Sequence, residues 1–125
     1  MLLPSEVEAR AMIPALRALI ARKLIEAHNL PQQKVANMLG VTQAAVSNYL
    51  REVRGAGISI DLSGDTLNLI DDIVHMLLDG ADSVQLLEKF HDTVGLMKGK
   101  RVMCNVHQQM EPNLDIKSCH ICDAT

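Results

Sequence analysis

Aromatic residues are nearly absent from this chain. They make up 2% of 125 residues: Tyr49, Phe90 and no tryptophan. That excludes recognition surfaces that stack bases on aromatic platforms, such as RRM or OB sheets. No uncharged apolar run reaches 18 residues, so no membrane-spanning helix is expected. The opening Met1-Leu2-Leu3-Pro4 has neither a basic stretch nor a long apolar one. No signal peptide is therefore expected, and the expected compartment is the cytoplasm, where thiols stay reduced. The three cysteines are an odd count and speak against a disulfide framework. The catalytic signatures are also missing: no glycine-rich phosphate loop, no nucleophile elbow, no carboxylate pair set beside a histidine. An enzyme, and with it a small-molecule substrate, is not expected.

What is present is an apolar fraction of 48%, enough for a packed core without disulfide staples. The net charge of −3 hides a division. Residues 10–54 carry seven bases (Arg10, Arg17, Arg22, Lys23, Lys34, Arg51 and Arg54) against Glu26 and Glu52. Residues 55–125 carry five bases against eleven acids. A basic first half joined to an acidic second half suggests two jobs.

Helical punctuation runs along the chain. Ser5 and Glu8 have the spacing of a capping box. Leu16, Leu19, Ile20, Leu24 and Ala27 fall on one helical face, and a break is expected near Ile13 because Pro14 lacks a backbone donor. Asn29 suits a left-handed cap. A short helix is predicted from Pro31 to Leu39, then a turn at Gly40, then a helix capped by Thr42 and ending near Glu52. Gly55–Gly57 reads as a joint. Ile58, Ile60 and Leu62 alternate with polar residues and predict an extended stretch. Two further amphipathic helices follow at about 66–78 and 84–98, the second started by Asp82 or Ser83. Their apolar stripes need cover, either from the long first helix or from a second subunit. Their acids (Asp71, Asp72, Asp79, Asp82 and Asp92) would keep this half away from phosphates. The fold class predicted is all-α, with units at 1–54, 55–99 and 100–125.

The most informative stretch runs from Gln32 to Arg51. Two short helices that cross steeply need a small residue at the crossing, which Ala36 supplies. The turn needs a residue that accepts positive φ, which Gly40 supplies. The shared apolar side is provided by Val35, Leu39, Val41, Val46 and Tyr49. The other face of the second helix is Gln43, Ala44, Ser47, Asn48 and Arg51. It is polar and free of bulky apolar groups, as a major groove about 12 Å wide requires. Gln and Asn amides match the donor–acceptor pair of adenine, Ala44 can meet a thymine methyl, and Arg51 at the far end is placed for a phosphate. Gln33 opens the first helix, whose amides point toward a phosphate.

This segment resembles the Cro/lambda-repressor-like helix-turn-helix of the xenobiotic-response-element class, most closely in the run Gly40-Val41-Thr42-Gln43-Ala44-Ala45-Val46-Ser47-Asn48-Tyr49-Leu50. More loosely, most of the chain resembles small archaeal and bacterial transcription regulators that open on a Pro-Cys-Glu-like helix and end in a cysteine-bearing tail. The resemblance implies double-stranded operator DNA as partner, bound by a homodimer. It carries Gln33, Thr42, Gln43, Ala44, Ser47 and Asn48 over as the DNA-facing positions. The chain departs from the group at Ser5, where the group has Cys. The alternative reading of the same helix pair is a protein-interaction or antitoxin-like module with a structural zinc tail.

The tail has its own chemistry. Cys104 and His107 form a Cys-x2-His pair, and Cys119 and Cys122 a Cys-x2-Cys pair. Two such pairs can wrap one tetrahedral ion, so zinc is expected slightly ahead of an iron–sulfur cluster. For a cluster, the fourth ligand would be His107, His120, the Ser5 oxygen or an external group. A redox-active Cys119/Cys122 pair, or three ordinary reduced thiols, are the readings without a metal. In the resembled group the opening Cys is a candidate fourth thiolate, and Ser5 removes it here. A bound metal would act as a sensor or as a clamp on the dimer.

Overall fold

The computed structural model describes residues 1–55, 64–99 and 101–121, with side chains 52–55 left aside. Among these residues every regular element is helical. The elements are α1 (Pro4–Val7), α2 (Ile13–Glu26), α3 (Gln32–Leu39), α4 (Gln43–Gly55), α5 (Gly64–Leu78), α6 (Ser83–Gly99) and α7 (Val102–Met110). None of them is long and apolar enough to cross a membrane. The extended stretch expected at Ile58–Leu62 and the joint at Gly55–Gly57 fall largely outside the described residues.

The break expected before Pro14 takes the form of a π-helical turn, Glu8–Met12, between α1 and α2. The Ile13 amide bonds back to the Glu8 carbonyl, a five-residue reach. This wider turn relieves the carbonyl that the proline ring would otherwise strike. The start of α1 differs from the sequence expectation. Pro4 takes the first helical position, and the Leu3 amide donates to the Glu6 carboxylate at 3.2 Å. Proline at that position loses only a donor that would be orphaned anyway, so the helix begins two residues early, with Leu3 and not Ser5 at the cap position.

The other punctuation behaves as its chemistry requires. Asn29 takes φ +55° after α2. Gly40 takes φ +69°, and the Val41 amide reaches the Ala36 carbonyl at 3.0 Å, which closes α3 with a left-handed cap. Asp82 accepts from the Gln85 amide at 2.9 Å while the Gln85 side chain accepts from the Asp82 amide at 3.3 Å, a reciprocal box at the start of α6.

One apolar cluster holds these pieces. Met12, Leu16, Ile20 and Leu24 are fully buried at four-residue intervals along the π turn and α2. Helix α2 packs on α3, α4 and α5, α5 packs on α6, and α6 packs on α7. The stripe on α5 is therefore covered by the chain's own long helix. Ion pairs bridge distant segments: Lys23 to Asp71, Lys89 to Asp72 at 3.3 Å, and Lys98 to Glu8 at 2.9 Å.

Candidate nucleic-acid interface

Helix α4 is divided along its length. Val46 is fully buried, and Tyr49 packs against the core cluster. On the other side Thr42, Gln43, Ala44, Asn48 and Arg51 are exposed and Ser47 is half-buried. The division follows from the sequence: residues at i, i+3 and i+7 share a face, and only one face of α4 is apolar. No described part of the chain covers the amide-bearing side. Thr42 sits just before α4, and its hydroxyl accepts from the Ala45 amide at 3.1 Å, which fixes the direction in which the helix leaves the Gly40 turn.

The polar side is partly ordered by its own contacts. Arg51 donates to the Asn48 side-chain oxygen, a contact that does not use the Asn48 amide hydrogens. On α3, Gln33 is exposed and donates to Asn37 at 3.1 Å. Proline 31 caps α3 without a side-chain bond, so the first amides of α3 receive no side-chain partner there. Lys34, next to Gln33, is also exposed. Its charge alone does not place it on this surface; its position one residue from Gln33 is the sequence signal that does.

The basic half is less basic in the folded molecule than its composition suggests. Arg10 pairs with Glu6 at 3.4 Å, Arg22 with Glu26 at 3.0 Å, and Lys23 with Asp71. Among the described bases of residues 10–54, Arg17, Lys34 and Arg51 face no carboxylate. Two of these three, Lys34 and Arg51, are exposed on α3 and α4.

The C-terminal cysteine region is not a free tail. Val102–Met110 forms α7, whose Val102, Met103, Cys104 and Val106 are buried. Helix α7 packs on α1, the π turn and α6. The following segment folds back over it. Arg101 donates to the Cys119 carbonyl at 3.0 Å and to the Ile116 carbonyl, and Gln108 donates to the Leu114 carbonyl at 3.3 Å. As a result Cys104, His107 and Cys119 line one cavity of about 180 Å³, together with Glu111 and the chain's first residues, Met1 to Pro4. Cys122 lies outside the described residues. The donor types suit a thiophilic divalent ion. Even so, among the described residues no three His, Cys, Asp or Glu side chains stand close enough to hold one ion.

Glu111 is not among the expected ligands, although it lies one turn beyond His107. It meets His107 Nε2 at 3.2 Å and accepts from the Leu2 amide. The His107 bond, above all, holds its carboxyl below the usual glutamate value; burial opposes this, and the Leu2 bond adds to it. A carboxylate with a lowered folded pKa contributes stability that is full above its ordinary value and is lost as the pH falls through the lowered one. Acidification should therefore release the N-terminal segment before the core melts. The Leu2 amide resonance should shift with a midpoint below the usual glutamate range, and Glu111→Gln should abolish that step. A Leu2 resonance that does not respond to acid in the unaltered chain would contradict the assignment.

No protein-family model, no curated protein and no solved structure matches this chain.

Proposed function

We propose that this protein is a sequence-specific, double-stranded-DNA-binding transcription regulator acting as a homodimer, with α3, the Gly40 turn and α4 as its helix-turn-helix. The observation that carries the reading is the division of α4, with Val46 buried behind it and Gln43, Ala44 and Asn48 exposed in front. Gln43, Ser47 and Asn48 read base edges, Ala44 meets a thymine methyl, and Arg51, Lys34 and the α3 amides beside Gln33 take phosphates. Lys34 and Arg51, the exposed bases on α3 and α4 among the described residues, neutralise few phosphates, so a lone subunit binds weakly. Two recognition helices about 34 Å apart double the contacts.

The zinc or iron–sulfur assignment belongs to the same proposal. Cys104, His107 and Cys119 share one cavity wall, and Cys122 follows Cys119 at ligand spacing. The residues that would hold the metal are thus on two segments, α7 and the chain end. When bound, zinc would cross-link them; a cluster would instead supply a redox-sensitive centre.

One experiment tests both parts. Protein purified without oxygen is used to select duplexes from a random pool, and its metal content is measured on the same sample. The expected result is an enriched sequence with two half-sites one helical turn apart, and bound zinc without absorption near 400 nm. No preference over random competitor would remove the DNA-binding reading. A metal-free sample would remove the metal, and a brown one would replace zinc with a cluster.

A further inference from the structure

The outward side of α6 is not the polar surface that a helix usually turns to water. Val84 and Leu87 are 63% and 68% exposed. With Glu88, His91 and Gly95, also exposed, they fall on one side at spacings of three and four. Thr93, Val94 and Met97 are the buried ones, so this apolar pair adds nothing to the chain's own core. Leu87 and His91 also line a groove of about 580 Å³ with Ile13, Met38 and Leu39.

Charge marks the groove as unfinished. Arg17 lines it and faces no carboxylate among the described residues. The groove's own acid, Glu8, is taken by Lys98 at 2.9 Å. Glu88, beside Leu87 on α6, is exposed and pairs with no cation among the described residues.

We propose that a second copy of this chain occupies the groove, with Val84 and Leu87 of each protomer entering the groove of the other and Arg17 of each meeting Glu88 of the other. A second copy is favoured because one chain carries both halves of each contact: Arg17 and Leu87 border the groove, and Val84 and Glu88 are exposed on α6 beside Leu87. A single two-fold axis can satisfy all four at once. A foreign partner would have to reproduce each of them. The groove is also lined by Gly40, three residues before α4 begins, so a dimer formed here couples the two α4 helices through one turn. That use rests on the DNA-binding reading; the dimer itself does not.

Sedimentation equilibrium of the full chain across the micromolar range tests it. The unaltered protein should be a dimer. Leu87→Glu, Arg17→Glu and Glu88→Arg should each weaken association at least about tenfold, with unchanged helical content. The combined Arg17→Glu, Glu88→Arg chain should dimerise again, which a merely disturbed fold would not do. Leu87→Glu should also lose tight binding to a two-half-site duplex while keeping its affinity for a single half-site. A monomer at about 100 µM, a dimer indifferent to Leu87→Glu, or a double swap that fails to restore association would overturn the proposal. A dimer that obeys these rules but prefers no duplex would leave the interface standing and remove only the DNA-binding reading.

Discussion

Ile20→Ala is expected to lower stability by about 2–5 kcal/mol, and to do so in a single transition that takes both ends of the chain together. Ile20 is fully buried on α2, between Leu16 and Leu24, which are also fully buried. Helix α2 is the element that α3, α4 and α5 all pack against. Removing three carbons there leaves a void bordered by several helices, which cannot all close on it at once. A domain of this size commonly holds about 5–15 kcal/mol in total, so the loss is a large share. The ion pairs that bridge the segments cannot offset it: Lys23 and Asp71 are each more than a third exposed at their side chains, and such pairs contribute about 0–1 kcal/mol. Urea unfolding gives the measurement. Tyr49, the only tyrosine, reports on α4 by fluorescence, while far-UV circular dichroism reports on all helices. The core cluster extends from Val7 to Val106, so the two signals should move together in the altered chain as in the original. A loss below about 1 kcal/mol, or a Tyr49 transition separated from the helical one, would show that α2 does not organise the core.

Much of this architecture was legible because its signals are local. Pro14, Asn29, Gly40, Thr42 and Asp82 each impose a backbone or capping requirement that neighbouring residues cannot cancel. The structure places a π turn just before Pro14, left-handed residues at Asn29 and Gly40, and N-terminal caps at Thr42 and Asp82. Helix α7 was not legible. Its buried residues, Val102, Met103, Cys104 and Val106, are nearly consecutive, so they show no helical stripe. They are buried on more than one side because α1, the π turn and α6 surround the helix, and no window of sequence contains those partners. The same reasoning covers the ion pairs. Nothing near Lys98 announces Glu8, and nothing near Lys23 announces Asp71. The basic half therefore looked more available to phosphate than its side chains are. For the candidate interface, which residues are exposed followed from helical periodicity. That Arg51 engages Asn48 followed from rotamers, which a pattern does not contain.

That last contact shapes the second large effect. Gln43→Ala and Asn48→Ala should each cost about 1–3 kcal/mol at the selected operator, roughly 5- to 150-fold in affinity, and leave folding intact. Both side chains are exposed on α4, so neither substitution opens a cavity. What is lost is an amide that pairs with both edge groups of an adenine, together with the penalty of leaving those groups unpaired. The two losses should add, since the residues reach different base pairs. Arg51→Ala is the informative control. In the free chain Arg51 donates to the Asn48 oxygen, which keeps a second lone pair to accept from a base. Removing Arg51 should reduce the salt slope of binding by about 1, as a lost phosphate contact does, while the preferred sequence stays the same. Affinity should therefore fall most at low salt, where the lost phosphate contact counts most, and least at high salt. Titrations of the four chains at two salt concentrations, against the operator and against a duplex altered only at the adenine positions, separate these effects. Gln43→Ala and Asn48→Ala should lose discrimination between the two duplexes, and Arg51→Ala should keep it. If all four chains bind both duplexes alike, the exposed amides of α4 do not read bases.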